Sequence, residues 1–175
     1  RRGDKRGYDA AKKIADLRRL HRLIDLLRSQ GVLCARAYLD RAEEEGRSSR
    51  KTGRFLGLPQ VHLLRQQIKE MDEIHPKPAL VQRSIRQSLR RNPEGRIIVF
   101  TEYRDTVEIL CNLLSAHSRL QVGRFVGQTT KGTRSGMSQK KQLEQLSRFR
   151  EGELNILVAT SVAEEGLDVP SADRV

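Results

Sequence analysis

The 175-residue sequence has no tryptophan, only 4% aromatic residues and two cysteines. Cys34 and Cys111 lack C-x-x-C spacing, so we predict two thiols in a reducing compartment rather than a disulfide or a metal site. The four histidines are scattered singly, which also argues against a metal site. No apolar run approaches the roughly 18 residues of a membrane span, and the basic start lacks the apolar stretch of a signal peptide. The sequence therefore predicts a cytoplasmic protein without bound metal.

Acidic residues are fewer than basic ones, and the imbalance is confined to one half of the chain. The formal net charge is +12. Residues 1–95 contain 23 basic and 12 acidic residues, a net of +11, whereas residues 96–175 contain 11 and 10, a net of +1. A strongly basic domain is typical of proteins that bind nucleic acid.

Apolar residues recur at three- and four-residue spacing through the basic half, and this period predicts four helices. Gly31 ends the first helix, and Pro59 begins the third. The predicted core positions are Ile14, Leu17, Leu20, Ile24 and Leu27 in residues 8–30; Val32, Ala35, Leu39 and Ala42 in residues 32–45; Val61, Leu64, Ile68 and Met71 after Pro59; and Leu80, Val81, Ile85 and Leu89 after Pro76 and Pro78. We therefore predict an all-helical domain over residues 1–94.

Residues 46–57 contain three glycines and four basic residues, which predicts a mobile cationic loop between helices. Two basic clusters are candidates for nucleic-acid binding: one on the first helix and one on this loop. They consist of Arg18, Arg19 and Arg22, and of Arg50, Lys51 and Arg54. The alternative is that these arginines only solvate an exposed helix face, as charge runs commonly do.

From residue 95 onward, short apolar runs alternate with helical patterns. Strands are predicted at 96–101, 120–126 and 154–159, with helices at 105–117 and 138–150, the second capped by Ser138. This alternation predicts an α/β domain over residues 95–175, in which a parallel sheet is flanked by helices. Residues 173–175 begin another strand, from which we expect the chain to be a fragment of a longer protein.

The strand at 154–159 is followed by small and polar residues. Ligands of parallel α/β sheets bind outside the carboxyl ends of the strands, so this loop is a candidate site. Its candidate residues are Thr160, Ser161, Glu165, Gly166 and Asp168. Taken alone, the loop is equally compatible with an ordinary connection between a strand and a helix.

Three segments of the α/β half resemble known motifs. Residues 97–104 (IIVFTEYR), 124–128 (RFVGQ) and 158–170 (VATSVAEEGLDVP) are similar to the fourth, accessory fourth and fifth motifs of superfamily-two helicases. The residues of the last two segments resemble the corresponding motifs of the archaeal Hef helicase-nuclease and the Fanconi-anaemia M-type translocases. The resemblance implies that residues 95–175 form most of a second RecA-like domain, and that residues 1–94 belong to the helical, thumb-like insertion before it.

The resemblance also implies roles for individual residues. Thr101 and Arg104 would contact the phosphate backbone of a nucleic acid, with Gly127 and Gln128 beside them. Thr160 and Ser161 would hold the next phosphate. The nucleotide would be faced by Glu165, Gly166 and Asp168, with Asp168 suited to a ribose hydroxyl.

By the same resemblance, the full-length protein would be an ATP-dependent DNA helicase or translocase acting on forked or branched DNA in repair or replication restart, with ATP and Mg²⁺ as cofactors. The 175 residues contain no GxxxxGK[ST] loop. We therefore expect an upstream first RecA-like domain, a sixth motif beyond residue 175, and no ATP binding or hydrolysis by this chain alone. The alternatives are an RNA helicase or duplex translocase of the same superfamily, or a non-enzymatic basic module that binds nucleic acid.

Overall fold

The computed structural model describes residues 5–128 and 136–160, with side chains from residue 7 onward. The chain forms two compact units, residues 1–75 and residues 76–175. The described part of the first unit is all helical, as predicted. Its helices are α1 (Lys5–Ser29), α2 (Val32–Gly46), α3 (Arg50–Leu56) and α4 (Pro59–Ile68).

The core of the first unit is built around Phe55 of α3, whose side chain is fully buried. The Tyr38 ring of α2 meets Phe55 edge-on, with 6.5 Å between ring centroids, a favourable aromatic geometry. The predicted apolar face of α2 is confirmed, since Val32, Ala35, Leu39 and Ala42 are all buried. Val61 and Ile68 of α4 are buried as predicted, whereas Met71 lies beyond the end of that helix and is exposed.

The predicted core face of α1 was wrong in part. Ile14, Leu17 and Ile24 are 51%, 63% and 52% exposed, whereas Leu23 and Leu26 are 2% and 1% exposed. Because α1 carries apolar residues on more than one side, two different sets of them recur at the three- and four-residue spacing of a buried helix face. Packing selects the stripe that also contains Asp16, which binds Arg54 of α3.

The predicted cationic loop at residues 46–57 was also wrong, because its centre is the helix α3. Thr52 and Phe55 of this helix are buried, and the Arg54 guanidinium makes a two-point ion pair with Asp16. Burial of the phenyl ring and this pair outweigh the low helix propensity of the glycines. The helix is therefore held by its tertiary contacts.

The segment after α4 is fastened to the amino end of α2. The Glu73 carboxylate accepts the backbone N–H groups of Val32 and Leu33 at 3.0 and 3.1 Å, and so caps α2. Gly31 has φ +100°, and a Cβ there would lie 2.3 Å from the Glu73 carboxylate. The positive φ favours glycine, and a larger residue there would also push the Glu73 carboxylate away from the N–H groups that it caps.

The second unit contains α5 (Pro76–Arg91), β1 (Ile97–Thr101), α6 (Arg104–Ser115), β2 (Val122–Phe125), α7 (Gln139–Arg150) and β3 (Ile156–Thr160). Its boundary with the first unit lies between His75 and Pro76, earlier in the chain than the predicted boundary between residues 94 and 95. The reason is that Ile85 of α5 is buried in the same core cluster as the sheet residues. The assignment of the first unit as a thumb-like insertion stays a prediction.

The three strands form a parallel sheet in the order β1-β3-β2. Every residue of the central strand β3 is buried, as expected for a parallel strand covered on both faces. On one face, α5 and α6 cover Ile156 and Val158. On the other, α7 covers Leu157 and Ala159.

The predicted elements of the second unit agree with the structure within a few residues. Ser138 caps α7 as predicted, because its hydroxyl accepts the Lys141 N–H at 3.4 Å. The strand predicted at residues 173–175 lies outside the described residues. Within residues 5–128 and 136–160, no helix is long and apolar enough to cross a membrane.

Candidate nucleic-acid interface

The parallel strands end at one edge of the sheet, and this edge carries the predicted phosphate-binding residues. Thr101 and Thr160 are the last residues of β1 and β3, and they are register partners in the sheet. Gly127 and Gln128 follow the end of β2. The sequence placed these residues in three separate motifs, and the fold brings them to the same edge.

Arg104 links two of the predicted motifs. It is the first residue of α6, and its Nη2 donates to the Gly127 carbonyl at 2.9 Å. Its Nη1 is buried and has no hydrogen-bond partner within the described parts of the chain. A buried donor without an acceptor costs about 1–3 kcal/mol, and a guanidinium stays charged in proteins. This side chain is therefore suited to an anionic oxygen arriving at the sheet edge.

The backbone at Gly127 and Gln128 is held from two sides. The Gly127 carbonyl also accepts the Met137 N–H at 3.3 Å, and a Cβ on Gly136 would lie 2.0 Å from the Gln128 carbonyl oxygen. The exposed Gln128 amide donates to Gln142 of α7 at 3.3 Å. Sequence reasoning missed the contributions of Gly136 and Gln142, because neither residue belongs to one of the three motifs and their contacts depend on the fold.

Thr160 was predicted to begin the loop after the strand, but it is the last residue of β3 and only 4% exposed. Its hydroxyl therefore lies inside the sheet edge rather than on an open loop. Thr101, its partner, is half-buried. The other residues predicted for this loop lie outside the described residues: Ser161, Glu165, Gly166 and Asp168.

The basic residues predicted for the first unit separate into two groups. Arg18, Arg50 and Lys51 are exposed, and Arg22 is half-buried. In contrast, Arg54 is engaged by Asp16, and the Arg19 guanidinium carbon lies 6.0 Å from the centre of the Phe55 ring. Arg18, Arg50 and Lys51 are thus available at the surface, while the second group holds α1 against α3.

The two cysteines were not predicted to form a site. Burial raises the pKa of the Cys111 thiol to about 12, with a smaller contribution from Glu108, so the thiol stays neutral near pH 7. Cys34 is buried and forms no disulfide with Cys111. In the parts of the chain that the structure describes, no group of three or more His, Cys, Asp or Glu residues could hold a metal ion.

Comparison with known proteins agrees with this geometry. Residues 77–175 match the family described as "Helicase conserved C-terminal domain". The crystal structure of the Pyrococcus furiosus Hef helicase domain covers 98% of this chain at 35% identity, with a TM-score of 0.66, and the match spans 35% of that chain. The mostly helical chain with its parallel sheet therefore matches the RecA-like fold of that helicase domain.

Curated relatives show the same affiliation. The chain is 31% identical over 170 residues to the "DEAD-box ATP-dependent RNA helicase FANCM" of Arabidopsis thaliana, covering 95% of this chain and 13% of that protein. It is 40% identical over 108 residues to the "DEAD-box ATP-dependent DNA helicase Fancm" of Drosophila melanogaster, covering 61% of this chain and 7% of that protein. The chain spans 21% or less of the length of the curated relatives that it matches.

The match over residues 77–175 includes the sheet edge formed by Thr101, Arg104 and Gly127. The likeness to the Hef helicase domain extends through the helical first unit as well. The chain belongs to the helicase conserved C-terminal domain family, and it is related to the Hef and Fanconi-anaemia M-type helicases of superfamily two.

Proposed function

We propose that this chain is most of the second RecA-like domain, with part of the helical insertion, of an ATP-dependent DNA helicase or translocase that acts on forked or branched DNA in repair or replication restart. The observation that carries the proposal is Arg104, which joins two motifs through Gly127 and has a buried N–H group with no acceptor among residues 5–128 and 136–160. The name of the Drosophila Fancm relative, an ATP-dependent DNA helicase, supports DNA as the substrate class.

A translocase must hold the sugar-phosphate backbone without reading the bases. Backbone and short side-chain donors at strand ends, together with an arginine, suit this task because phosphate contacts carry no sequence information. In our proposal Arg104 and Thr101 hold one phosphate, with Gly127 and Gln128 beside it. Thr160 and Ser161 then hold the next phosphate. Because Thr160 is buried, its contact requires either the backbone N–H or an opening of the edge around its hydroxyl.

The full-length protein would use ATP and Mg²⁺, with the phosphate-binding loop supplied by an upstream first RecA-like domain. We propose that Glu165, Gly166 and Asp168 face the nucleotide, and that Asp168 binds a ribose hydroxyl. The segment from Thr160 to Asp168 would then contact the nucleic acid at one end and the nucleotide at the other. Such a shared segment would couple closure of the nucleotide cleft to movement along the strand.

The substrate class is tested by ATP hydrolysis. In the full-length protein, we expect forked DNA to stimulate hydrolysis at least tenfold more than an RNA of equal length, with linear duplex DNA in between. The measurement is the rate of phosphate release at saturating nucleic acid and fixed salt. Equal or greater stimulation by RNA would reject the DNA assignment.

The RNA alternative is supported by the names of relatives such as the Arabidopsis protein, which is called an RNA helicase. Backbone-holding residues at a sheet edge do not distinguish ribose from deoxyribose unless a group reaches the 2′ hydroxyl. A DNA-preferring rate profile favours the first proposal, and an RNA-preferring profile favours the alternative. A protein that binds both without hydrolysing ATP would instead be a basic binding module.

We also propose that the first unit binds nucleic acid through basic residues, with the exposed Arg18, Arg50 and Lys51 and the half-buried Arg22 as its contacts. Arg50 and Lys51 are neighbours at the start of α3, and both side chains are exposed. Each phosphate contact on duplex DNA contributes about 0.9 to the log-log salt slope of binding. Two neighbouring contacts should therefore be resolved in a salt titration.

Substitution of Arg50 and Lys51 by Gln should reduce the salt slope of fork binding by about 1 to 2. Arg54 on the same helix provides a matched control, because its guanidinium is already paired with Asp16. Arg54→Gln should leave the slope unchanged and lower the melting temperature, since it releases α3 from α1. A slope that responds to Arg54→Gln but not to the double substitution would refute the placement of this interface.

A further inference from the structure

The outer face of α5 is strongly cationic and has no role in the sheet edge described above. This helix carries Lys77, Arg83, Arg86, Arg90 and Arg91 and no acidic residue. Arg83, Arg86 and Arg90 follow one another at three- and four-residue spacing, so they lie along one side of the helix, and all three are exposed. At 1.5 Å per residue, this row spans about 10 Å.

Two adjoining grooves run beside this row of arginines. The first, of about 460 Å³, lies along α5 and includes Gln82 and Gln87. The second, of about 620 Å³, lies between α5 and the turn that joins α6 to β2, and it adds Arg119. Arg86 and Arg90 line both grooves, and no acidic side chain lines either one. We refer to the two together as the α5 groove.

The wall of the α5 groove is fixed by hydrogen bonds. The Asn155 side chain accepts the Gln121 N–H at 2.8 Å and donates to the Arg119 carbonyl at 3.1 Å, which holds the turn against the start of β3. Arg86 Nη2 lies 2.7 Å from His117 Nε2. Because a guanidinium only donates, that imidazole nitrogen accepts, and Arg86 is held at the groove without neutralisation of its charge.

The α5 groove and the motif residues lie at opposite ends of the parallel strands. Pro93, Leu120 and Asn155, which line it, come before β1, β2 and β3 respectively, so the groove lies at the amino edge of the sheet. Thr101 and Thr160 lie at the carboxyl edge. A five-residue strand separates the two edges by about 16 Å.

We propose that the α5 groove is a second binding site for a nucleic-acid backbone, and that it takes a DNA segment other than the one held at the carboxyl edge. Its row of guanidinium groups along α5, together with the amide donors of Gln82 and Gln87, suits successive phosphates of a polymer. The span of about 10 Å corresponds to the rise of about three base pairs along the axis of a duplex. The inference rests on the proposed function only in the choice of DNA as the polyanion.

The test compares two double variants of the full-length protein with equal loss of charge. Arg86→Gln with Arg90→Gln removes charge from the α5 groove. Arg148→Gln with Arg150→Gln removes it from the end of α7, which covers the other face of the sheet, and Arg148 is already paired with Glu153. Binding of a labelled fork is measured by fluorescence anisotropy over a series of KCl concentrations.

We expect the groove variant to reduce the salt slope by about 1 to 2, and the α7 variant to reduce it by less than about 0.5. A single-stranded oligonucleotide that fills only the carboxyl edge should bind the groove variant as it binds the unmodified protein. An unchanged fork slope, or an equal change in both variants, would overturn the inference. If the groove variant does not fold by circular dichroism, Arg119→Gln on the exposed turn should reduce the slope by about 0.9.

The same samples separate this inference from the proposed function. If the groove variant behaves as expected while DNA fails to stimulate ATP hydrolysis in the unmodified protein, the second site stands and the motor assignment fails. If DNA stimulates hydrolysis but the groove variant keeps the full slope, the motor assignment stands and the second site fails. Binding of polyglutamate that depends on the groove, without a change in the DNA slope, would also overturn the choice of DNA.

Discussion

The 175-residue chain alone should hydrolyse ATP at least about 10³-fold more slowly than the full-length protein, even with saturating forked DNA. The reason is that its sequence contains no GxxxxGK[ST] loop to hold the nucleotide phosphates. Loss of a single transition-state arginine already costs about 10³- to 10⁵-fold in related phosphoryl-transfer sites. The measurement is the rate of phosphate release from both proteins at equal concentration.

Folding must be verified before that comparison is interpreted. A cooperative thermal transition of the chain by circular dichroism, together with retained DNA binding, would show that the low rate is not caused by unfolding. DNA-stimulated hydrolysis by the folded chain within tenfold of the full-length rate would contradict the assignment. The chain would then hold a nucleotide site of its own.

The second large effect is on stability and concerns the side of α1 that faces the core. Leu23→Ala should destabilise the first unit by about 2–5 kcal/mol, because Leu23 is only 2% exposed and its removal leaves a cavity. Leu17→Ala on the same helix should change stability by less than about 0.5 kcal/mol, because Leu17 is 63% exposed. Both variants make the same chemical change, so the difference reports burial.

Chemical denaturation of the chain, monitored by circular dichroism, provides the free energies. The chain has two units, so the two unfolding transitions are analysed separately if they do not coincide. A larger loss for Leu17→Ala than for Leu23→Ala would show that the originally predicted face of α1 is the buried one. It would also place Asp16 on the exposed side, away from Arg54.

Much of the fold was predictable because the apolar residues keep a helical spacing up to about residue 94 and form short strand-like runs from residue 95 onward. The pattern of Val32, Ala35, Leu39 and Ala42 has one solution as a helix face, and that face is buried. In α1, two different faces of the helix fit the spacing of the apolar residues, and sequence alone could not show which face is buried. For α3, the glycines predicted a loop, whereas the buried Phe55 ring stabilises a helix through contacts that are distant in sequence.

For the candidate site, the resemblance to known motifs predicted which residues lie close together, but not the contacts that hold them in position. Thr101, Arg104 and Gly127 were predicted, and the parallel register and the Arg104–Gly127 hydrogen bond explain their proximity. The burial of Thr160 was not predicted, because its polar side chain suggested the start of a loop. The partnership between Arg54 and Asp16 was equally invisible, since it joins residues on different helices.

The central claim is that the carboxyl edge of the sheet holds the nucleic-acid backbone. Hydrogen–deuterium exchange of the full-length protein, with and without a saturating forked DNA, tests it most directly. We expect slower exchange of the backbone amides at Arg104, Gly127 and Gln128 when DNA is bound. Unchanged exchange at all three amides, with DNA-dependent protection confined to other parts of the protein, would contradict the account.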